Sequence, residues 1–182
     1  MSYEYTEGYQ IRNQGATYYL TFAIEGWIDL FSRKIYKDLL LESFDFCRKN
    51  KNLQIHAYVF MSNHVHTIWT AKDNNLSDII RDFKTYTSKS FIKIINETAE
   101  SRREWLLHMF HFYARQTVAN KNYKIWTNDN HPVEIISPDF RPCWCYHLQV
   151  LNFRPCWCYH LQVLILSDVG DNTNIGEKLA QE

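Results

Sequence analysis

The sequence predicts an α+β fold, a ferredoxin-like split βαβ sandwich in which helices cover one face of an antiparallel sheet. Three observations predict it. Runs rich in aromatic and β-branched residues occupy residues 18–27 and 53–69, and a stretch with apolar residues at helical spacing follows each of them. The resulting order is strand, helix, strand, strand, helix and then a late strand, which is the order of that sandwich. At 182 residues the chain makes one domain with room for a proper core. Its 20 basic and 20 acidic side chains cancel, which argues against a protein that coats duplex DNA by charge alone and makes any nucleic-acid contact local. Aromatic residues make up 16%, supplying mostly core but also faces on which unstacked bases can lie. A basic segment leading into an apolar stretch is absent, as is any apolar run of about 18 residues, so a cytoplasmic protein with no membrane partner is expected.

Residues 1–15 are polar, contain Gly8 and Gly15 and show no sustained period, so a flexible arm or edge extension should precede the body at 16–138. Tyr18 to Trp27 is the first strand. From about Arg33 to Lys49, Ile35, Leu39, Leu40, Phe44 and Cys47 share one face of a helix, with Lys34, Lys37, Asp38, Arg48 and Lys49 around the other side. Cys47 reads as a small core residue. Leu53 to Phe60 and His64 to Trp69 then form a hairpin about a tight turn, Met61-Ser62-Asn63. Asp73-Asn74-Asn75 should cap a second helix from Leu76 to about Asn96. Its apolar face is Leu76, Ile79, Ile80, Phe83, Tyr86, Phe91, Ile94 and Ile95, and Arg81, Lys84, Lys89 and Lys93 make a basic stripe. Ser101 to Ala114 is a third helical piece, with Trp105, Leu106, Met109, Phe110 and Tyr113 as its buried side. Tyr123 to Trp126 is a short strand, Thr127 to Pro132 a loop, and Ser137-Pro138-Asp139 has the grammar of a helix start.

The stretch that carries chemistry is Phe60-Met61-Ser62-Asn63-His64-Val65-His66-Thr67-Ile68-Trp69. Alternation along a strand sends both imidazoles to the same face, and a metal takes neutral imidazole through one ring nitrogen. Such a pair fixes two ligands on a rigid support and leaves the others to different elements. By itself the His-x-His spacing also fits ordinary surface or core histidines. Asn63 reads as a residue that shapes the turn.

Tyr58-Val59-Phe60-Met61-Ser62-Asn63-His64-Val65-His66 resembles the MxNHxH signature of the HUH single-strand DNA transposases (IS200-like), and specifically the REP-associated tyrosine transposases of bacteria. Further blocks resemble that family in the same order: Tyr18-Tyr19-Leu20-Thr21-Phe22 with Gly26-Trp27, Phe83-Lys84-Thr85-Tyr86-Thr87-Ser88, and Ile125-Trp126-Thr127 with Asn130-His131-Pro132. The resemblance implies the ferredoxin-like sandwich and a tyrosine that nicks single-stranded or hairpin DNA and transfers the strand. It also implies Mg²⁺ or Mn²⁺ held by His64 and His66, with a carboxamide near the tyrosine as third ligand. The basic helix would then serve a DNA backbone, with Arg81, Lys84 and Lys89 on phosphates and Trp126 or Tyr86 beneath unpaired bases. Pairing into a homodimer stays open.

The tail, 139–182, departs from the family. Phe140 to Leu151 recurs unchanged as Phe153 to Leu164, twelve identical residues at a period of thirteen, which is how a recent duplication of DNA looks rather than a solenoid. Relatives carry a motif like Tyr-Ile-His-x-Asn-Pro here, whose tyrosine is the nucleophile. The nearest remnants are Tyr146-His147-Leu148-Gln149 and Tyr159-His160-Leu161-Gln162, which make Tyr146 and Tyr159 the candidate nucleophiles. Gln149 or Gln162 would be the third ligand if helical spacing sets it one turn beyond its tyrosine. Two alternatives stand beside catalysis. One is a non-catalytic DNA-hairpin-binding protein of the same fold that has lost its nucleophile. The other is a zinc-bound interaction domain built on Cys143, Cys145 and His147 and their copies Cys156, Cys158 and His160.

Overall fold

The protein is described by a computed structural model over residues 10–116 and 122–136, together with the backbone of 163–165. The elements in chain order are β1 (Thr17–Ala23), α1 (Lys34–Asn50), β2 (Leu53–Phe60), β3 (His64–Ala71), α2 (Leu76–Glu97), α3 (Arg103–Arg115), β4 (Val133–Glu134) and β5 (Val163–Ile165). Every pairing is antiparallel and the strands lie in the order β4-β1-β3-β2-β5. β3 is inserted between β1 and β2, the mark of the split βαβ sandwich, and the α+β class read from the sequence holds.

One face of the sheet and the helices make the core. From β1, Tyr18, Leu20 and Phe22 point into it; from β3, Val65, Trp69 and Ala71; from α1, Tyr36, Leu40 and Phe44; from α2, Ile79, Phe83 and Phe91. Phe44 sits 5.5–6.0 Å, centroid to centroid, from Tyr58, Phe60, Trp69 and Phe83, edge-on to Tyr58 and Trp69, tilted against Phe83 and stacked on Phe60. Each such fully buried side chain contributes about 1.5–3 kcal/mol through burial.

β2 changes faces partway along. Leu53 and Ile55 lie opposite Ala71 and Trp69, but a bulge at His56 shifts the register, after which Tyr58 and Phe60 point to the core and Ala57 and Val59 to the far side. The extra residue lets an apolar run that lacks clean alternation serve both faces. Ala57 and Val59 then join Tyr19, Ile68, Met61 and Val133 in a smaller apolar cluster on the face away from the helices.

A buried carboxylate ties α3 to α1. Glu100, 6% exposed, accepts from Tyr36 Oη and Arg33 Nη1, both at 2.8 Å, and from the backbone N–H of Arg102 at 3.1 Å. Burial by itself would raise its pKa, but these donors outweigh that and hold the carboxyl at about 2.

Several expectations are corrected. The first strand ends at Ala23, because Gly26 at φ 65° turns Glu25–Trp27 into a 3-10 turn. Tyr123 to Trp126 is not a strand; only Trp126 makes an isolated bridge, to Ile24, and the late strand is the two-residue β4. Ile35, Tyr86 and Trp105 face outward at 39%, 58% and 47% exposure instead of inward, since each lies at the margin of its helix's apolar stripe. The helix-2 cap is not made by an Asp or Asn side chain of 73–75. Gln14 supplies it, its Oε1 accepting from Ser77 N–H at 2.8 Å and its Nε2 donating to Ser77 Oγ at 2.9 Å, so the end of the N-terminal stretch braces the start of α2. The tail contributes β5, which pairs with Ala57–Val59 and was not foreseen. The helix start proposed at Ser137-Pro138-Asp139 lies outside the described residues.

Candidate metal centre and nucleic-acid groove

β3 begins with the two histidines. In the register Ala23 lies opposite His64, and Thr21 and Val59 flank His66. Three backbone bonds anchor the turn before them: Met61 N–H to His64 carbonyl at 2.9 Å, Ile24 N–H to Asn63 carbonyl at 2.9 Å, and Phe31 N–H to Ser62 carbonyl at 2.8 Å. Both imidazoles project to the sheet face away from the helices and are half-buried. Their Nε2 atoms converge to 3.1 Å.

The neighbours fix which nitrogen carries the proton of His64 and leave both tautomers open to His66. Asn63 Nδ2 donates to the Trp27 carbonyl at 3.2 Å, which turns its Oδ1 toward His64 Nδ1 at 2.6 Å. His64 therefore donates from Nδ1 and presents a lone pair at Nε2. His66 Nδ1 lies 2.6 Å from Tyr19 Oη and 2.9 Å from Thr21 Oγ1, hydroxyls that either donate or accept. A proton on His66 Nε2 would be donated across the 3.1 Å gap to His64. With the proton moved to Nδ1, where either hydroxyl oxygen accepts it, both Nε2 lone pairs point at one place. That is the arrangement of outer partners seen around metal-bound histidine.

A cation fits those two donors. Bonds of about 2.1 Å from nitrogens 3.1 Å apart meet at about 95°, the angle of adjacent positions around an octahedral ion. Among the described residues no group of three or more His, Cys, Asp or Glu side chains gathers for a metal.

A groove of about 620 Å³ runs between α2 and the segment 123–130, lined by Arg81, Lys84, Lys89, Lys124, Thr127 and Asn130 among others. Lys84 donates from Nζ to the Thr127 carbonyl at 2.7 Å and lies over the Phe22 ring; burial lowers its pKa to about 8. Thr127 in turn donates its N–H to the carbonyl of Ala23, the residue opposite His64, which ties one wall of the groove to the strand that flanks the histidine pair. Arg81 pairs with Asp78 at 2.6 Å and Asp82 at 3.4 Å on the surface, and Lys89 is exposed.

The structure thus brings His64 and His66 together and sets Arg81, Lys84 and Lys89 along one groove. It does not bring Tyr86 to them: Tyr86 lines a separate cleft between α1 and α2 with Phe46, Cys47 and the Lys51–Asp82 pair. Trp126 as a platform for bases is corrected. It is 5% exposed, wedged among Phe22, Phe31, Phe83 and Phe91, and its Nε1 donates to Thr87 Oγ1 at 2.9 Å. Tyr146, Tyr159, Gln149, Gln162 and the Cys-x-Cys-x-His tail lie outside the described residues. Sequence reasoning missed Tyr19 and Thr21 and gave Asn63 only the turn. The signal for Thr21 was present, since a polar residue in an aromatic strand beside a His-x-His strand is a candidate partner for an imidazole.

The fold and the site define a class, small α+β proteins with two imidazoles of one strand converging on the sheet face away from the helices. The family is narrower: a model of the transposase IS200-like family matches residues 14–137, and the chain belongs to that family. A solved structure described as the REP-associated tyrosine transposase bound to a REP hairpin is similar over 80% of this chain and 68% of that one, at 17% identity and a TM-score of 0.47. No curated protein sequence matches the chain. Among the described residues no helix is long and apolar enough to cross a membrane.

Proposed function

We propose that the protein is a metal-dependent transposase that nicks single-stranded, hairpin-forming DNA through a tail tyrosine and transfers the strand. The observation that carries this is the convergence of His64 Nε2 and His66 Nε2 at 3.1 Å in a chain of the IS200-like transposase family. A divalent cation there, Mg²⁺ or Mn²⁺ as the resemblance implies, would polarise the scissile phosphate and spread the charge that builds on it. Asn63 holds His64 in the tautomer that this needs, and the Tyr19 and Thr21 hydroxyls can accept the His66 proton at Nδ1 once a cation takes its Nε2. Gln149 or Gln162 is the proposed third ligand. Arg81, Lys84 and Lys89 take phosphates along the groove. The phenolate of Tyr146 or Tyr159 attacks phosphorus, forming a 5′-phosphotyrosine bond as the bond to the 3′-oxygen breaks; the 3′-oxygen leaves as a hydroxyl after gaining a proton.

A second reading is favoured by one observation, the replacement of the family's Tyr-Ile-His-x-Asn-Pro motif by the duplicated tail. On that reading the chain binds hairpin DNA without cutting it. Incubation with Mn²⁺ and a single-stranded hairpin oligonucleotide separates the two. A covalent adduct that disappears when Tyr146→Phe and Tyr159→Phe are combined supports catalysis. Binding with no adduct supports the second reading, and neither binding nor adduct removes both.

A further inference from the structure

Four non-glycine residues have positive φ among those described: Asn52 at 48°, Asn74 at 53°, His131 at 41° and Trp27 at 56°. Asparagine tolerates this region because its short side chain bonds locally, but for a bulky aromatic residue it is a genuine outlier, and such strain persists only where the surroundings enforce it. At Trp27 they do. Its N–H donates to the Ile24 carbonyl at 3.1 Å and its carbonyl accepts from Asn63 Nδ2 at 3.2 Å. Gly26 before it, also left-handed at φ 65°, lies so close to the Tyr113 phenol that a Cβ would collide with it. The strained backbone does not serve burial: the indole is 65% exposed. What it achieves is placement. The indole stands beside His64, centroids 5.6 Å apart and planes at 78°, so the imidazole meets it edge-on without stacking.

We infer that Trp27 is the platform on which an unpaired base of the DNA strand stacks, beside the phosphate that docks at the His64–His66 pair. This rests on the reading that the site takes single-stranded DNA. An indole face is the strongest ordinary partner for a nucleobase, is indifferent to which base it meets, and needs a rigid mount to order a flexible strand. Asn63 supplies the mount and the link, since one amide group holds the Trp27 carbonyl with its nitrogen and the His64 ring with its oxygen. Base position and imidazole orientation are therefore set by the same side chain. Trp27 takes the part that the buried Trp126 cannot.

The test is fluorescence anisotropy of a labelled single-stranded hairpin oligonucleotide with the full chain and Mn²⁺, using an abasic nucleotide moved one position at a time through the strand. Trp27→Ala should weaken binding by about 5- to 150-fold, the range of a lost base–aromatic stack, and Trp27→Phe should keep most of the affinity. One abasic position should weaken wild type by a similar factor and have no further effect on Trp27→Ala. Trp27→Gly guards against a folding artefact: glycine suits this φ, so the variant should melt no lower than wild type and still show the loss. Wild-type affinity in Trp27→Ala, or an abasic penalty that adds fully to the substitution at every position, overturns the inference while leaving the DNA reading in place. Failure of wild type to bind the oligonucleotide at all overturns both.

Discussion

Replacing Asn63 by alanine should cost the site most of its hold on a divalent cation while leaving the fold intact. The amide makes two bonds, 2.6 Å to His64 Nδ1 and 3.2 Å to the Trp27 carbonyl. Without Oδ1 the His64 proton is free to sit on Nε2, where it blocks the lone pair that a cation needs. Outer partners of metal-bound histidine are worth about 10- to 100-fold in metal affinity, which is about 1.4–2.7 kcal/mol. The effect on folding is about 0.5–1.5 kcal/mol for each of the two lost hydrogen bonds, a loss of similar size that a folded domain tolerates because water can reach this turn and satisfy the freed groups. Calorimetric titration of Mn²⁺ into wild type, Asn63→Ala and His64→Ala measures the difference, with the last defining the loss of a ligand. Asn63→Asp sharpens the test. A carboxylate oxygen still accepts from Nδ1, but the other one faces the Trp27 carbonyl without a proton to offer. This variant should keep Mn²⁺ affinity and lose DNA affinity. Wild-type Mn²⁺ binding by Asn63→Ala would refute the reasoning that the amide selects the His64 tautomer.

Thr21→Val removes one of the two hydroxyls at His66 Nδ1 and should lower Mn²⁺ affinity by less than Asn63→Ala does, since Tyr19 Oη remains; the same titration reads it. Lys84 is charged below about pH 8 in the free protein, so DNA affinity should fall as pH rises through that value, and Lys84→Met should flatten the profile and reduce the salt dependence by about one phosphate contact. The Glu100 carboxyl, held near 2 against 4.5 when unperturbed, stabilises the fold fully above about pH 4.5 and loses that contribution as pH falls toward 2. Glu100→Gln should therefore flatten the acid limb of a thermal melt and cost about 3 kcal/mol at neutral pH, because Arg33 and Arg102 keep their charges. Thr87→Val strands the buried Trp126 Nε1–H and should cost about 1–3 kcal/mol in denaturant unfolding.

Where side-chain periodicity and burial agree, the sequence was legible. α1 and α2 fall within a residue or two of their expected limits, because a wide apolar stripe at period 3.6 leaves few alternatives. The histidine pair was legible for the same kind of reason, since period 2 on a strand admits only one relative orientation. The bulge at His56 was not, because its run Leu53 to Phe60 is apolar at both parities and alternation cannot locate the extra residue. Trp126 misled because an indole used as core and one used as a platform carry the same letter. Only the three-dimensional ring of phenylalanines and the bond to Thr87 separate them. Gln14 as the cap of α2 was beyond local reading, since it comes from 63 residues before Ser77. The tail strand was hidden by the duplication, which offered two identical stretches and no ground for choosing between them.

β5 settles the fate of a margin that would otherwise be sticky. Along Ala57–Val59 the backbone of β2 is engaged on both sides, by β3 and by Val163–Ile165. A chain shortened at residue 139 would present that row of amide and carbonyl groups unmet, and a second molecule could dock there strand to strand. The odd-looking duplicated ending therefore also acts as a seam, and cutting it away should make the protein more prone to self-associate along β2.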